Sequence, residues 1–457
     1  MAKRSARSID GDPTSVLRHL PPGHSGDLRL TTSTTTTIRF SNNRIRQPHL
    51  ERSRHASLRL ANGKRLATAT GSDSSAHGMQ TLLESARALA RIAPVEPKFP
   101  GFPPPSGRAA TRLAFSSSTA RSTPEAVSRM AEEILESAES TAPGARVAGV
   151  VYAGAETLRV ANSSGLDRSS DRSFAYASVL VERPHEDPPV SGWSEGAHWD
   201  AARLDFAGLG REAAERMARS APVPVGPGDH PVVLRGPAVA DLVRFLASLG
   251  FAANGEVEGW SCLAGKRGKK VAPDDVQLVD DPRSRETVPQ AIDYEGTWTK
   301  PVPLISDGVA GGVVTDLITS GRLGLPLTGH ALPPEAPWGD FGPVPSNLIL
   351  AAGDASEEEL VREVRQGLLV TRFHYVRVVD PGRGVITGMT RDGTYLIENG
   401  EVTKPARNLR FTESVLAALR NIRGIGKDRR MYSEGGGAVT APALALGSFR
   451  FTSATLF

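Results

Sequence analysis

The sequence predicts an α+β fold in two domains, an N-terminal mixed α/β domain and a C-terminal, mainly antiparallel β domain. Three observations lead there. Apolar residues recur at helical spacing in a few well-capped stretches, and the other ordered stretches alternate or are rich in β-branched residues. The 46 Gly and 34 Pro imply many turns, concentrated toward the C-terminal half as Asp-Gly and Asn-Gly dipeptides. The run Ala221-Pro222-Val223-Pro224-Val225-Gly226-Pro227-Gly228 separates the two halves, so residues 27–220 and 231–457 are expected to be domains joined by a linker at 221–230.

Residues 1–26 carry Arg, Ser, Pro and Gly without periodicity and are expected to form a flexible tail. The Thr-rich stretch from 28 to Phe40 reads as a strand closed by a turn at Ser41-Asn42-Asn43. Residues 56–60 and 65–70 flank Asn62-Gly63, which predicts a hairpin with a type I′ turn. A helix follows over 78–92, with Met79, Leu82, Leu83, Ala86, Leu89 and Ala90 on one side, ended by Pro94. The Pro-rich connector 94–122 is expected to cross the surface. Thr123, Pro124 and Glu125 open a second helix, carrying Val127, Met130, Ala131, Ile134 and Ala138. Strands over 147–152, 157–161 and 173–181 and a helix over 206–220 complete the first domain.

In the second domain a strand at 231–234 leads into a helix with Val239, Leu242, Val243 and Leu246 at helical spacing, stopped by Gly250. Ser356 and Glu359 have the spacing of a capping box. Strands at 368–379, 384–390, 395–398 and 401–403, separated by turns that include Asp392-Gly393 and Asn399-Gly400, predict an antiparallel meander. A helix at 413–422 and a strand at 441–451 close the chain.

Composition narrows the function. With 457 residues, 39% hydrophobic and 23% charged, the chain can bury a large core, and a single small binding module is excluded. One cysteine, Cys262, excludes an intramolecular disulfide framework and a Cys-rich zinc module. No stretch is apolar for long enough to cross a bilayer as a helix, so the expectation is a cytoplasmic protein without membrane partners. A net charge of +4 is too small to imply nucleic-acid binding; the cluster Arg44, Arg46, Arg52, Arg54, Arg59, Lys64 and Arg65 reads first as a solvated strand surface.

Motifs for chemistry are nearly absent. His19 and His24 are held out of a helix by Pro21-Pro22, and His185-Glu186 runs into Asp187-Pro188-Pro189 with no second histidine. Gly259-Trp260-Ser261-Cys262-Leu263 begins like a nucleophile elbow but has Leu where the second Gly is required. Asp274-Asp275 and Asp280-Asp281 sit in expected loops, where paired acids carry little information.

Several segments, in order, are similar to the TldD/PmbA family, and within it to the PmbA (TldE) branch. They are Phe40-Ser41-Asn42-Asn43-Arg44-Ile45-Arg46-Gln47-Pro48-His49, Asn62-Gly63-Lys64-Arg65, Asp280-Asp281-Pro282, Asp293-Tyr294-Glu295-Gly296, Gly367-Leu368-Leu369-Val370-Thr371-Arg372-Phe373 and Thr387-Gly388-Met389-Thr390-Arg391-Asp392-Gly393-Thr394 with Ile397-Glu398-Asn399-Gly400. The resemblance runs from about residue 27 to the end. It implies a metallopeptidase-related protein, formerly grouped with modulators of DNA gyrase. In the TldD branch, H-E-x-x-x-H and a later cysteine hold zinc. Aligned on that pattern, Arg244, Phe245 and Leu249 stand for His, Glu and His, and Gly435-Gly436-Gly437 for the cysteine-bearing segment.

The resemblance therefore implies a non-catalytic subunit that binds no cofactor itself and pairs with a TldD-type chain carrying the zinc. Gly435, Gly436 and Gly437 become candidates for lining a channel for unfolded peptides. Other expectations kept open are a homodimer, nucleic-acid or topoisomerase association through residues 44–65, and a self-sufficient hydrolase with an unrecognised site.

Overall fold

A run of β-branched threonines loses side-chain freedom in a helix but packs well on a pleated surface, and the stretch 31–37 lies inside one long strand. This is seen in a computed structural model that describes residues 12–106, 113–183, 190–217, 220–333, 342–432 and 437–455. The strand, β1 (His24–Ser41), is joined by β2 (Arg44–Asn62), β3 (Arg65–Gly71), β4 (Arg146–Asn162), β5 (Asp167–Glu182) and β6 (Ser191–His198) in a sheet of order β3-β2-β1-β4-β5-β6. Every neighbouring pair is antiparallel. The strands expected at 147–152 and 157–161 are one element, β4, because both of its neighbours pair with it continuously.

The turns follow their residues. Asn42 and Asn43 both have positive φ, 51° and 60°, as a type I′ turn requires. The Asn43 side chain also bridges to β4, accepting from Val147 N at 2.8 Å and donating to Ala145 O at 2.9 Å. The next hairpin differs from expectation. Asn62 pairs with Arg65 in the ladder, so the two central residues are Gly63 and Lys64, and only Gly63 has positive φ. That is the pattern of a II′ turn. Ahead of β1, a 3-10 helix at Pro13–His19, capped by Asp12, buries Val16; this part of the expected flexible tail is ordered.

Helices α1 (Ala76–Ile92), α2 (Ser117–Ala120), α3 (Pro124–Thr141) and α4 (Phe206–Glu215) belong to this half. Met79, Leu82 and Leu83 of α1 pack on Leu28, Leu58 and Leu60, while Ile134 of α3 and Leu209 of α4 pack on Ile38, Phe40 and Val151. The connector is more than a surface crossing. Phe99 and Phe102 are buried edge to face at 5.1 Å, in a small cluster with Ala61 that anchors the prolines around them.

The second half contains β7 (Gly228–Leu234), α5 (Gly236–Phe251), α6 (Ala253–Glu258), β8 (Leu278–Asp280), β9 (Val302–Ser306), β10 (Val309–Ala310), α7 (Leu317–Leu323) and β11 (Asn347–Leu350). After them come α8 (Glu357–Val364), β12 (Gln366–Asp380), β13 (Val385–Glu398), β14 (Glu401–Pro405), β15 (Leu409–Ser414), α9 (Val415–Arg420), β16 (Ile422–Ile425), β17 (Arg430–Tyr432), β18 (Ala438–Ala441) and β19 (Leu444–Ala454). One sheet has the order β10-β9-β8-β11-β18-β17. The other runs β12-β7-β19-β15-β13-β14, and pairing of β12 with β13 closes five of its strands into a ring. Phe373, Phe411, Phe449 and Phe451 pack together from three of those strands.

Three local expectations meet the structure in and beside this sheet. The Ser356–Glu359 capping box forms, with both reciprocal hydrogen bonds present. Asp392-Gly393, expected as a turn, is instead a bulge within the continuous strand β13. Both residues have positive φ, 53° and 120°, and together they oppose Thr371 alone. Asn399-Gly400 is a turn with positive φ at both positions, joining β13 to β14.

Candidate functional site

Helix α5 is the element on which the aligned positions fall. Pro237 fixes the backbone in its first turn, and the helix is apolar almost all round because it sits between sheet and core. Successive residues are 100° apart on a helix, so Arg244 shares a face with Ser248, and Phe245 shares a neighbouring face with Leu249. Phe245 and Leu249 belong to the main hydrophobic core. Arg244 and Ser248 instead line a cavity of about 210 Å³.

The cavity brings Arg244 together with Gly437, which precedes β18. These two candidates are distant in sequence but meet because β18 packs against α5. Gly435 and Gly436 lie outside the described residues, as do His185 and Glu186. Ser261 and Cys262 form a buried turn elsewhere. The Ser261 hydroxyl donates to Gly250 O, and burial pushes the Cys262 thiol up to about 11, so neither is poised as a nucleophile.

The cavity wall is more polar than its surroundings. Arg172 of β5 reaches it from the first half of the chain and is held by Glu156 at 2.9 Å. The Arg244 guanidinium sits 3.2 Å from Asp241, one turn earlier on α5. His330 is 95% buried, its Nδ1 2.9 Å from Thr328 Oγ1 and its Nε2 2.8 Å from Asp280 Oδ2, although the latter contact is not aligned as a hydrogen bond. Asp280, at the end of β8, accepts from Asn347 N at 2.7 Å. Asp293 accepts from the backbone N–H groups of Glu295, Thr297 and Ala331 at 2.8–3.0 Å. Burial nevertheless pushes its carboxyl above the ordinary range, and does the same to Glu295 beside it, with the Arg59 guanidinium pulling Glu295 the other way.

These residues do not suit zinc. A guanidinium stays protonated and offers no lone pair, and Phe245 and Leu249 have no ligand atom. Among the described residues no three His, Cys, Asp or Glu side chains converge as a metal site. The acids Asp280, Asp293 and Glu295 lie in segments the resemblance quotes, yet they had no pattern of their own: each is buried by contacts far away in sequence. Within the basic cluster, Arg59 is buried in an ion pair with Asp27, while Lys64 and Arg65 donate to the carbonyls of Phe99 and Ala93. Only the stretch 44–54 keeps its arginines exposed.

Family profiles decide the relationship. Residues 26–93 match domain 1, residues 117–221 the central domain, and residues 227–453 the C-terminal domain of the PmbA/TldA metallopeptidases. The chain belongs to the PmbA/TldD metallopeptidase family. A metalloprotease of Methanothermobacter thermautotrophicus is 31% identical over 235 residues, 50% of each chain. Metalloprotease PmbA of Escherichia coli O157:H7 is 26% identical over 225 residues, 48% of this chain and 46% of that one. The alignments thus span about half the length of these relatives. Two solved structures share the fold. TldE from Thermococcus kodakarensis superposes with a TM-score of 0.83 at 21% identity, covering 94% of this chain and 96% of that one. A protein from Thermotoga maritima, described as a modulator of a DNA gyrase, gives a TM-score of 0.79 at 20% identity over the same shares of the two chains. No described helix is long and apolar enough to cross a membrane.

Proposed function

We propose that this chain is a PmbA/TldE-like, non-catalytic subunit that works in the cytoplasm with a TldD-type zinc metallopeptidase on unfolded peptides. The observation that carries the reading is the chemistry of α5: where the family's catalytic branch would need His, Glu and His, this helix has Arg244 on the cavity and Phe245 and Leu249 in the core. Zinc then belongs to the partner. This chain supplies fold, surface and, through Arg244 and Gly437, part of a polar cavity wall. Extended peptides could be held by backbone hydrogen bonds with little demand on their sequence. Gly437 remains the described member of the proposed channel segment.

Co-expression with a TldD-type chain tests this. Peptidase activity should require both chains, and destroying the partner's H-E-x-x-x-H should abolish activity while leaving the complex intact. A partner fully active alone, eluting separately from this chain at micromolar concentration, overturns the reading; self-association of this chain would then favour a homodimer. Association with nucleic acid would rest on the exposed Arg44, Arg46, Arg52 and Arg54 alone, since Arg59, Lys64 and Arg65 are committed to protein groups.

A further inference from the structure

The first turn of a helix leaves backbone N–H groups without intrahelical acceptors, and a side-chain cap normally satisfies one of them. Helix α5, 16 residues long, has no such cap. Its N-cap residue is Arg235, itself a donor, and the Arg235 guanidinium is occupied by Glu357 at 2.7–3.0 Å. Pro237 has no N–H, so Gly236 and Ala238 are the donors of that turn without a side-chain acceptor.

This end of α5 opens on a second cavity, about 190 Å³, distinct from the one at Arg244. Its lining includes the cations Arg216, Arg235, Lys427, Arg429 and Arg430 against the carboxylates Glu212, Glu357 and Asp428. Glu212 serves two guanidiniums at once, Arg216 at 2.5 Å and Arg430 at 2.7 Å. Arg429 is paired with Glu286, outside the lining, at 2.5 Å, so five cations face four carboxylates where the helix dipole is also positive.

Tyr432 supplies an independent observation. The residue is 93% buried, lines the cavity, and among the described residues its hydroxyl makes no hydrogen bond. The hydroxyl hangs directly over Gly236: a methyl group at that position would overlap Tyr432 Oη. Burial holds the phenol well above its ordinary pKa, so it stays a donor at neutral pH. The hydroxyl faces the cavity, so a molecule seated there can accept from it.

We propose that the cavity at the N-terminus of α5 binds a small oxyanion, a carboxylate or phosphate group, between the Tyr432 hydroxyl, the Gly236 N–H group and the Arg216–Arg430 pair. The site does not depend on the assembly reading, because every group in it comes from this chain.

The test uses the full chain. Binding of inorganic phosphate, acetate, a blocked tripeptide with a free C-terminal carboxylate and the same tripeptide amidated is measured by calorimetry and by thermal midpoint, against chloride at equal ionic strength. Phosphate or the carboxylates should bind and raise the midpoint; the tripeptide acid without its amide marks a peptide end as the source, and phosphate alone marks a phosphate ligand. Tyr432→Phe should weaken binding about five- to tenfold, the worth of one buried hydrogen bond. If that variant does not fold, Lys427→Gln, at the exposed mouth, should weaken it in the same direction. Binding no better than chloride, or binding unchanged in the folded variants, would mean that the cavity holds only water, and the proposal fails.

Discussion

Arg59 Nη1 lies 2.6 Å from Glu295 Oε1, joining β2 of the first sheet to a buried loop of the C-terminal half. The same guanidinium holds Asp27 Oδ2 at 2.5 Å. Both carboxylates are almost fully buried, 1% exposed for Asp27 and 3% for Glu295. Removing the guanidinium leaves two acids without their main counter-ion in low dielectric, which is far more costly than deleting an exposed pair. Arg59→Ala should lose about 3–5 kcal/mol of stability in urea unfolding. A loss under about 1 kcal/mol would mean that the acids are neutral or re-paired.

Asp293 sets a pH dependence. Its carboxyl titrates near 3.8 when unfolded and is raised to about 6 in the folded chain. Between those values the folded state binds the proton more tightly than the unfolded state, so stability falls as pH rises through that window and levels off above it. Asp293→Asn removes the titration, although its amide opposes the Ala331 N–H and destabilises the fold overall. The gap between wild type and variant should therefore be largest near pH 4 and shrink toward pH 7, read from denaturant midpoints. A gap that widens with pH would reverse the assignment.

The bulge in β13 needs Gly393. Its φ of 120° is reached easily only by glycine, and a Cβ there would sit 2.5 Å from Thr371 Oγ1. Gly393→Val should cost about 1–3 kcal/mol. An unchanged melting temperature would show that the strand can re-register without the bulge.

Restoring the family's ligands on α5 should not restore a metal site. In the triple variant Arg244→His, Phe245→Glu, Leu249→His, two of the new polar groups point into the hydrophobic core. Burying a carboxylate there costs several kcal/mol or more. The expected outcome is a marked loss of stability and zinc well below one per chain by elemental analysis; stoichiometric zinc in a folded variant would show that α5 can rotate.

What the sequence revealed and what it hid have a common physical cause. Short-range signals were readable: β-branched stiffness in β1, the Asn42-Asn43 turn, and the Ser356–Glu359 box, each set by a few neighbouring residues. The sheet containing β8 to β11 was missed, since two to five residues per strand give no measurable periodicity. Asp392-Gly393 was misread because positive φ serves a bulge as well as a turn. Arg244 and Gly437 could be paired only through a family pattern. Asp280, Asp293, His330 and Tyr432 acquire meaning from partners brought near by the fold, so no local window contained them.

Strand β19 lies between β7 and β15 in the ring of strands, although it is the last of them to be synthesised. Until residues 444–454 have left the ribosome, β7 and β15 each present an unpaired edge and the phenylalanine cluster lacks two of its rings. The C-terminal half cannot close before those residues emerge, and it exposes sticky strand edges in the meantime. In the cell its yield should depend on how well that interval is chaperoned, and nonsense or frameshift lesions before residue 444 should give insoluble protein, not a working fragment.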